Sequence, residues 1–408
     1  MRGQMSLARW VLCAALASSA AIDIPPCSLN GVLIGGACAC DAGWSGAACH
    51  VLDLLPAAPL RADTQTYFHP TNGGAAGGGY TSNSWGISVL RDDGGALWHG
   101  FMTELRSNCS LSSYGESSHI LHLTAPAPAG PWSVADVALP SFAHNPQAVR
   151  DADGAWLLFH IGSAEPAGCE GQHTCGADGR RNASCAAGGK GTSVARAPSP
   201  YGPWERVPYI LPDNETNPSA LVLPGGGIAL TARRWEGGVP IYTAPSWRGP
   251  YTAAPRTNVT LVRAGAPAAD EFTPFDEDAF LWQDARGGFH MLTHRQPNGT
   301  ACPQGRTPSD CDCAGGHMYA RELNGPWFVD LALVYNCSLS VAAAAAPAAR
   351  AQLLLMARQR PTLLLPQRNG GQPSCPVLFT GASTDPVSQY YSSFSMVQEV
   401  DCGGRSWY

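Results

Sequence analysis

Charged residues are scarce in this chain of 408 residues. Asp, Glu, Lys and Arg make up 14% of it, the formal net charge is only -6, and the basic residues form no stripe. A surface for nucleic acid or for an anionic membrane needs clustered cations, so neither partner is expected. Hydrophobic residues reach 45%, which is enough to build a large core.

Long apolar runs are also missing after the N-terminus. The nearest approach, residues 341–356, is interrupted by Pro347 and Arg350. A membrane-spanning helix needs about 18 or more consecutive apolar residues, so no span is expected.

What the chain does contain is a degenerate repeat. Its five copies begin with Ser84-Trp85-Gly86, His144-Asn145-Pro146, Thr216-Asn217-Pro218, Glu277-Asp278-Ala279 and Gln359-Arg360-Pro361. In the clearer copies an apolar run, a turn rich in Asp and Gly and a second apolar run follow one another, a pattern typical of a β-hairpin. Aligning the turn glycines makes Trp85, Asn145, Asn217, Asp278 and Arg360 equivalent. The intervals between these residues, of 60, 72, 61 and 82 positions, each suit one propeller blade.

A second tag supports the same register. It is a Gly-Pro pair followed by an aromatic residue, and it occurs at Gly130-Pro131-Trp132, Gly202-Pro203-Trp204, Gly249-Pro250-Tyr251 and Gly325-Pro326-Trp327. Gly-Pro forms a tight turn, and the aromatic ring can pack between neighbouring sheets. Hairpins and tags together predict an all-β fold, a five-bladed β-propeller over residues 60–408.

The repeat resembles the five-bladed propellers of glycoside hydrolase family 43 and its relatives, the arabinanases, levansucrases and invertases. This resemblance implies an axial pocket that takes carbohydrate. It also implies three catalytic acids: an Asp base from blade one, an Asp that tunes pKa from blade three and a Glu acid from blade four. Glu277, or Asp278 beside it, matches the acid. Ser84-Trp85 and Asn217 stand at the positions of the two Asp residues.

The axis is where ligand contacts are expected, because the inner strands of all blades converge there. The predicted substrate-binding residues are Trp85, His144, Asn145, Asn217 and Arg360 on inner strands, with Arg233, Arg234 and His294 on the returning strands. Asn, His and Arg bind sugar hydroxyls and Trp stacks on a sugar ring. The arginines leave room for an acidic sugar, since guanidinium pairs with carboxylate or sulfate.

Two functions stay open at this point. The first is a glycoside hydrolase in which Glu277 is the general acid and Asp278 helps to position the substrate. The second is a glycan-binding propeller that kept the pocket and lost the catalytic Asp residues. No cofactor is required by either function, although the acidic run 276–278 leaves a structural calcium ion open.

The N-terminus predicts secretion. Arg2 and Arg9 precede an apolar stretch, and small residues follow near position 20, so residues 1–21 read as a signal peptide. Six Asn-x-Ser/Thr sequons suit a secreted glycoprotein, at Asn108, Asn182, Asn214, Asn258, Asn298 and Asn336.

Residues 22–52 resemble an EGF-like module with four of the usual six cysteines. The resemblance rests on a Cys-x-Cys pair, the Gly43-Trp44-Ser45-Gly46 motif and the gap that follows Cys40. It implies disulfides Cys27–Cys38 and Cys40–Cys49 and leaves a protein contact through the module open. The ten cysteines after residue 60 suit disulfides better than metal ligands outside the cell, but their pairing cannot be read from the sequence.

Overall fold

The structure, a computed structural model, describes residues 23–57, 83–92, 94–106, 109–163, 175, 189–212, 215–234, 240–255, 259–263, 266–267, 276–295, 313–343, 346–366, 373–383 and 393–407. The predicted signal peptide and the sequons at Asn108, Asn182, Asn214, Asn258 and Asn298 lie outside these ranges. Asn336 is exposed. No helix in the described ranges is long and apolar enough to cross a membrane.

The N-terminal region consists of two small hairpins. A 3₁₀ turn (Pro26–Leu29) precedes β1 (Gly31–Ile34), β2 (Ala37–Cys40), β3 (Trp44–Ser45) and β4 (Val51–Leu52). Disulfides join Cys27 to Cys38 and Cys40 to Cys49, as the resemblance to EGF-like modules implied.

The first three blades are four-stranded antiparallel sheets. Blade one contains β5 (Asn83–Arg91), β6 (Trp98–Leu105), β7 (Ser118–Ala125) and β8 (Ser133–Leu139). Between β6 and β7 lie a 3₁₀ turn (Leu111–Ser113) and one helical turn, α1 (Tyr114–Ser117). Blade two contains β9 (His144–Arg150), β10 (Trp156–Ile161), β11 (Thr192–Ala197) and β12 (Glu205–Val207). Blade three contains β13 (Glu215–Val222), β14 (Ile228–Arg234), β15 (Ile241–Ala244) and β16 (Thr252–Ala253).

The last two blades are less regular. The segments β17 (Val259–Arg263) and β18 (Ala266–Pro267) extend the sheet of blade four, which contains β19 (Asp276–Gln283), β20 (Phe289–Arg295), β21 (Ala314–Ala320) and β22 (Trp327–Asp330). A hairpin of β23 (Ser338–Ala343) and β24 (Ala346–Leu354) precedes blade five, which contains β25 (Ala357–Leu364), β26 (Val377–Ser383) and β27 (Ser393–Glu399). The prediction of a five-bladed propeller is therefore confirmed in the described part of the chain.

Residues 53–57 close the ring at blade five. Leu55 donates a backbone hydrogen bond to Glu399 at 2.9 Å, and Ala57 donates one to Ser340 at 2.8 Å. The segment therefore lies between β27 and β23, where it covers the outer edge of β27. An uncovered edge strand would be free to pair with another chain.

Apolar side chains fill the spaces between blades. One cluster joins Phe101 of blade one to Trp156 of blade two, and another joins Phe159 of blade two to Leu230 of blade three. Because each sheet has a neighbour on both faces, strands such as β21 and β26 are buried at every position rather than at alternate ones. The aromatic residues of the Gly-Pro tags belong to these clusters, as the sequence predicted.

The EGF-like region shares its core with blades four and five. Trp44 and Leu52 belong to one buried cluster with Trp282, Leu378 and Val400. The region is therefore stapled by its own disulfides and also packs against the propeller. A module of its size buries too little apolar surface to build a core alone.

Three further disulfides lie among the described cysteines. They join Cys109 to Cys175, Cys313 to Cys337 and Cys375 to Cys402. Cys313 is thus a disulfide partner, as expected from an oxidising compartment, and not a metal ligand.

Blades one and four each contain a buried chain of two histidines between two acids. The chains are Asp92–His99–His122–Asp136 and Asp284–His290–His317–Asp330. The facing ring nitrogens are 2.8 Å apart in blade one, between Nδ1 of His99 and Nε2 of His122, and 3.1 Å apart in blade four, between Nδ1 of His290 and Nε2 of His317. Burial lowers the pKa of His99 and His317 to about 4. Two neutral imidazoles have two N–H groups, which suffice for the two hydrogen bonds in each chain. The third contact of each chain is longer and not a hydrogen bond, at 4.0 Å for His99 and Asp92 and at 3.5 Å for His317 and Asp330.

Candidate functional site

The inner strands of the blades carry a bulge near one mouth of the axis. In each of these strands the pairing register slips at one place, and Gly86, Asn145, Asn217, Asp278 and Arg360 there have positive φ, between 51° and 66°. These are the true equivalents, so the alignment of Trp85 with Asn145 is wrong by one residue. In every blade the bulged strand gains one residue over its partner. The error came from the choice of turn glycine in blade one, because Gly95 has the positive φ of Gly154, Gly226 and Gly287, whereas the alignment used Gly94.

A cavity of about 320 Å³ opens at this mouth. Its lining residues are Trp85, Leu111, Tyr114, His144, Asn145, Lys190, Thr216, Asn217, Arg233, Glu277, Asp278 and Gln359. They come from all five blades and from the loops on the same side. We call this cavity the axial pocket.

A second cavity of about 680 Å³ lies further along the same inner strands and is also lined by all five blades. Its walls combine apolar residues such as Val89 and Leu363 with the charged residues Arg91, Asp92 and Arg150. A specific site usually combines an apolar cavity with a few converging polar groups. Both cavities have that combination, and we treat the axial pocket as the candidate site because the predicted site residues converge on it.

Arg360 holds the axis together below the pocket. Its guanidinium donates to the carbonyls of Asn145 at 3.0 Å and Pro218 at 2.8 Å, and it lies 3.8 Å from the Asp278 carboxylate. Arg360 is only 3% exposed and does not line the pocket. The prediction that it binds substrate on the wall opposite Glu277 is therefore wrong.

Gly86 makes room for that arginine. A Cβ atom on Gly86 would come within 2.7 Å of Cγ of Arg360. The position also has a φ of 66°, which glycine adopts without strain. Blade one therefore has glycine where the other blades have a side chain.

Glu277 and Asp278 form the acidic side of the axial pocket. Glu277 makes an ion pair with Arg233 at 2.7 Å, and its other carboxylate oxygen lies 3.3 Å from Nδ1 of His294. Burial and the neighbouring charge of Glu277 raise the pKa of Asp278 to about 6, although Arg360 and His294 oppose this shift. The carboxyl group with the raised pKa is thus Asp278, whereas the sequence favoured Glu277 as the acid.

The opposite wall is formed by a column of side chains from blades one and two. The ring of Tyr114 lies 4.6 Å from that of His144, and the ammonium of Lys190 lies 4.7 Å from the centre of the Tyr114 ring. His144 contacts Ser118 at 2.9 Å through Nδ1. Burial, with smaller effects of Arg360 and Lys190, holds the pKa of His144 well below its usual range. This wall therefore contains a neutral imidazole and one cation.

Two amides join the acidic wall to the opposite wall. Asn145 donates a side-chain hydrogen bond to Asn217 at 2.9 Å, across the boundary between blades two and three. Oδ1 of Asn145 is buried and has no hydrogen-bond partner in the described residues, whereas Oδ1 of Asp278 faces the Arg360 guanidinium at 3.8 Å. A buried acceptor without a donor is unusual in a folded protein. Asn145 thus offers an acceptor to a ligand that brings hydrogen-bond donors.

Most of the predicted site residues meet in the axial pocket. Those that line it are Trp85, His144, Asn145, Asn217, Arg233, Glu277 and Asp278. His294 lies behind the wall, against Glu277. Arg234 is 2.9 Å from Glu215 and 3.1 Å from the hydroxyl of Tyr242, so it is engaged elsewhere.

The sequence reasoning missed Lys190 and Tyr114. Neither belongs to the repeat, because they come from the segments that join β10 to β11 and β6 to β7. One signal was available, since Lys190 is the only lysine in the chain.

The acidic run that left calcium open is neutralised by neighbouring cations. Ligand atoms of Glu277, Asp278 and His294 lie within 4.8 Å of one another. Arg233 already pairs with Glu277, and Arg360 lies beside Asp278. Calcium prefers six to eight oxygen ligands, which this set does not supply. A structural calcium ion therefore stays a prediction that the geometry does not favour.

One comparison with known proteins concerns the N-terminal region. A family model described as a Teneurin-like EGF domain matches residues 24–52, which confirms the EGF-like prediction. No curated protein matches the chain.

Solved propeller enzymes are similar to the chain at low identity. One is a thermostable family-43 glycoside hydrolase, with 12% identity and a TM-score of 0.45, covering 79% of this chain and 90% of that one. Another is an endo-arabinase from Bacteroides thetaiotaomicron, with 13% identity and a TM-score of 0.46, covering 78% and 94%. A third is an exo-1,5-alpha-L-arabinanase from a bovine ruminal metagenomic library, with 11% identity and a TM-score of 0.47, covering 78% and 92%.

Proposed function

We propose that the protein is a secreted carbohydrate-binding propeller whose axial pocket holds a sugar. The observation that carries this proposal is the buried acceptor without a donor, Oδ1 of Asn145, in a residue that lines the pocket. Sugar hydroxyl groups are donors as well as acceptors, so a bound sugar would satisfy this oxygen atom. Tyr114 is half-buried and supplies aromatic surface in the same pocket, and a sugar ring packs well on such a surface, whereas Trp85 is buried. The disulfides and the EGF-like region are typical of extracellular proteins.

Hydrolysis is the second candidate, and the raised pKa of Asp278 favours it. A carboxyl group with a pKa of about 6 is partly protonated near neutral pH, which a general acid requires. Against this, glycosidases place their two carboxylates on opposite sides of the scissile bond, roughly 5 to 9.5 Å apart. Both carboxylates that the described residues bring into the pocket are neighbours on β19. The facing wall consists of His144, Tyr114 and Lys190 instead.

A binding screen with a matched pair of variants tests the proposal. The full chain is titrated with plant and algal polysaccharides, and reducing ends are measured in the same samples. Asn145→Gly removes the acceptor but keeps a backbone that tolerates positive φ. Asp153→Asn is the control, because Asp153 is an exposed turn residue at the other end of the same hairpin.

We expect a polysaccharide to bind without release of reducing ends. Losing one buried hydrogen bond costs about 1 to 1.5 kcal/mol, so Asn145→Gly weakens binding roughly tenfold, while Asp153→Asn binds like the wild type. If nothing binds to the wild type, or if Asn145→Gly binds as tightly, the assignment of the pocket is wrong. Reducing ends that accumulate with the wild type and disappear with Asp278→Asn would establish the hydrolase instead.

A further inference from the structure

The only lysine of the chain lines the axial pocket. The sequence contains 25 basic residues, and all except Lys190 are arginines. Lys190 is exposed and lies on the wall opposite Glu277. Lysine presents a compact, strongly hydrated charge on a flexible stem, which differs from the planar and bidentate arginine group.

The backbone that carries Lys190 is fixed by close packing. Gly189 and Gly191 flank it, and a Cβ atom on either would come within 2.7 Å of Tyr209. The chain therefore passes directly against Tyr209 on both sides of the lysine. The stem then places the ammonium 4.7 Å from the centre of the Tyr114 ring, a distance typical of a cation–π contact.

The other cations near the pocket are already paired. Arg233 contacts Glu277 at 2.7 Å. The Arg360 guanidinium lies below the axial pocket, where it donates hydrogen bonds to two carbonyl groups. His144 is neutral because burial lowers its pKa. Lys190, by contrast, has no carboxylate within ion-pair distance in the described ranges, so its charge can pair with an anionic group on the ligand.

We propose that Lys190 recognises an acidic substituent, a carboxylate or a sulfate ester, on the sugar held in the axial pocket. This inference rests on the proposed function. The sequence suggested an acidic ligand because of Arg233, Arg234 and Arg360. The proposal bases the acidic ligand on the single pre-positioned ammonium group of Lys190 instead. A lysine acts as a point charge without bidentate geometry, so either anion can pair with it.

Two pairs of ligands that differ only in charge test the proposal. One pair is an oligogalacturonide and its methyl ester, which probes the carboxylate. The other is a sulfated galactan oligosaccharide and its desulfated form, which probes the sulfate. Affinities are measured by calorimetry at low and at physiological salt, because an ion pair at an exposed lysine is screened by salt.

Three variants of the full chain complete the design. Lys190→Gln removes the charge, and Lys190→Arg keeps it. Arg248→Gln removes one positive charge from an exposed surface pair with Glu205 and serves as the control for net charge. None of the three replaces a residue of the hydrophobic core.

We expect the wild type to bind the charged member of one pair about tenfold more tightly than its neutral partner, the effect of one charge-assisted contact. Lys190→Gln loses this preference, whereas Lys190→Arg and Arg248→Gln keep most of it. The pair that shows the preference identifies the anion. If the wild type binds neutral and charged members of both pairs equally, or if Lys190→Gln keeps the preference, the proposal is overturned while sugar binding stands. If no member of either pair and no other glycan binds, the proposed function fails as well.

The single lysine also allows a direct chemical test. Acetic anhydride acylates amines, so in this chain it reacts at Lys190 and at the α-amino group. Peptide mass spectrometry should show that the charged ligand protects Lys190 at saturation, and that its neutral partner at the same concentration protects it much less. Equal protection by both would contradict a role of the ammonium in recognising the anion.

Discussion

Replacing Arg360 with methionine should destabilise the propeller strongly at neutral pH. The guanidinium hydrogen-bonds to carbonyl groups of blades two and three and lies 3.8 Å from Asp278 of blade four. Arg360→Met keeps most of the side-chain volume but leaves a buried carboxylate and two carbonyl groups without their cation. Breaking a buried pair in this way costs about 3 to 5 kcal/mol.

The second partner makes the reasoning testable by a double-mutant cycle. Asp278→Asn removes the charge that Arg360 compensates, so the double variant should be more stable than the sum of the single effects by about 1 to 3 kcal/mol. The penalty of Arg360→Met should also shrink in acid. Asp278 has a folded pKa of about 6, raised from 3.8, so the folded state takes up a proton before the unfolded state as pH falls, and protonated Asp278 does not need the cation.

Urea unfolding of the wild type, the two single variants and the double variant at pH 7 and pH 5 provides the measurement. Midpoints are compared only if the dependence of the unfolding free energy on urea concentration is unchanged. A loss below about 1 kcal/mol for Arg360→Met at pH 7 would be too small for a broken buried pair. Strictly additive single effects would refute the coupling. A penalty that is the same at both pH values would show that the charge of Asp278 is not involved.

Two further predictions concern the frame of the propeller. Gly86→Ala should lower the free energy of unfolding in urea by about 2 to 4 kcal/mol, because the new Cβ meets Arg360 and alanine is strained at positive φ. Gly154→Ala is the control, since Gly154 also has positive φ but its Cβ would have its nearest neighbour 3.7 Å away. Equal losses of stability in both variants would mean that the contact with Arg360 is irrelevant. Stability should also fall as pH drops from 6.5 towards 4. His99 and His317 have folded pKa values of about 4 against 6.5 in the unfolded chain, so the unfolded chain binds protons first. The loss of unfolding free energy reaches up to about 3 kcal/mol per histidine. The profile of His317→Asn should be flatter in this range, and an unchanged profile would show that the histidine does not titrate as its burial implies.

The repeat made the architecture predictable, because each blade needs the same turn chemistry and the same packing aromatic residue. The Asp-Gly turns and the Gly-Pro tags therefore reveal blade number and strand order. The residues at the axis were also predictable in part, because the repeat makes Asn145, Asn217 and Asp278 equivalent. In the structure all three lie in the same bulge, which sets them apart from ordinary strand positions.

What the sequence could not provide were the directions of the long side chains. Arg360 and Arg234 are suitable residue types for a pocket wall, but one lies under the floor and the other is held by Glu215. The one-residue error at Trp85 followed from two adjacent glycines in the first turn, of which Gly95 and not Gly94 has the positive φ of the other turn glycines. Lys190 escaped notice because loop segments follow no period, so pattern reasoning has nothing to align there.

The shared core of the EGF-like region has a consequence for the order of folding. Asp41 and its partner Arg286 are 245 residues apart in the chain, and Trp44 packs with Val400 near the other end of the described chain. During synthesis the EGF-like region emerges before the propeller, and its disulfides can form early, yet its apolar face is not covered until blades four and five have been made. The region therefore completes its packing only when the last blades fold, and until then it exposes an apolar surface that is prone to aggregation.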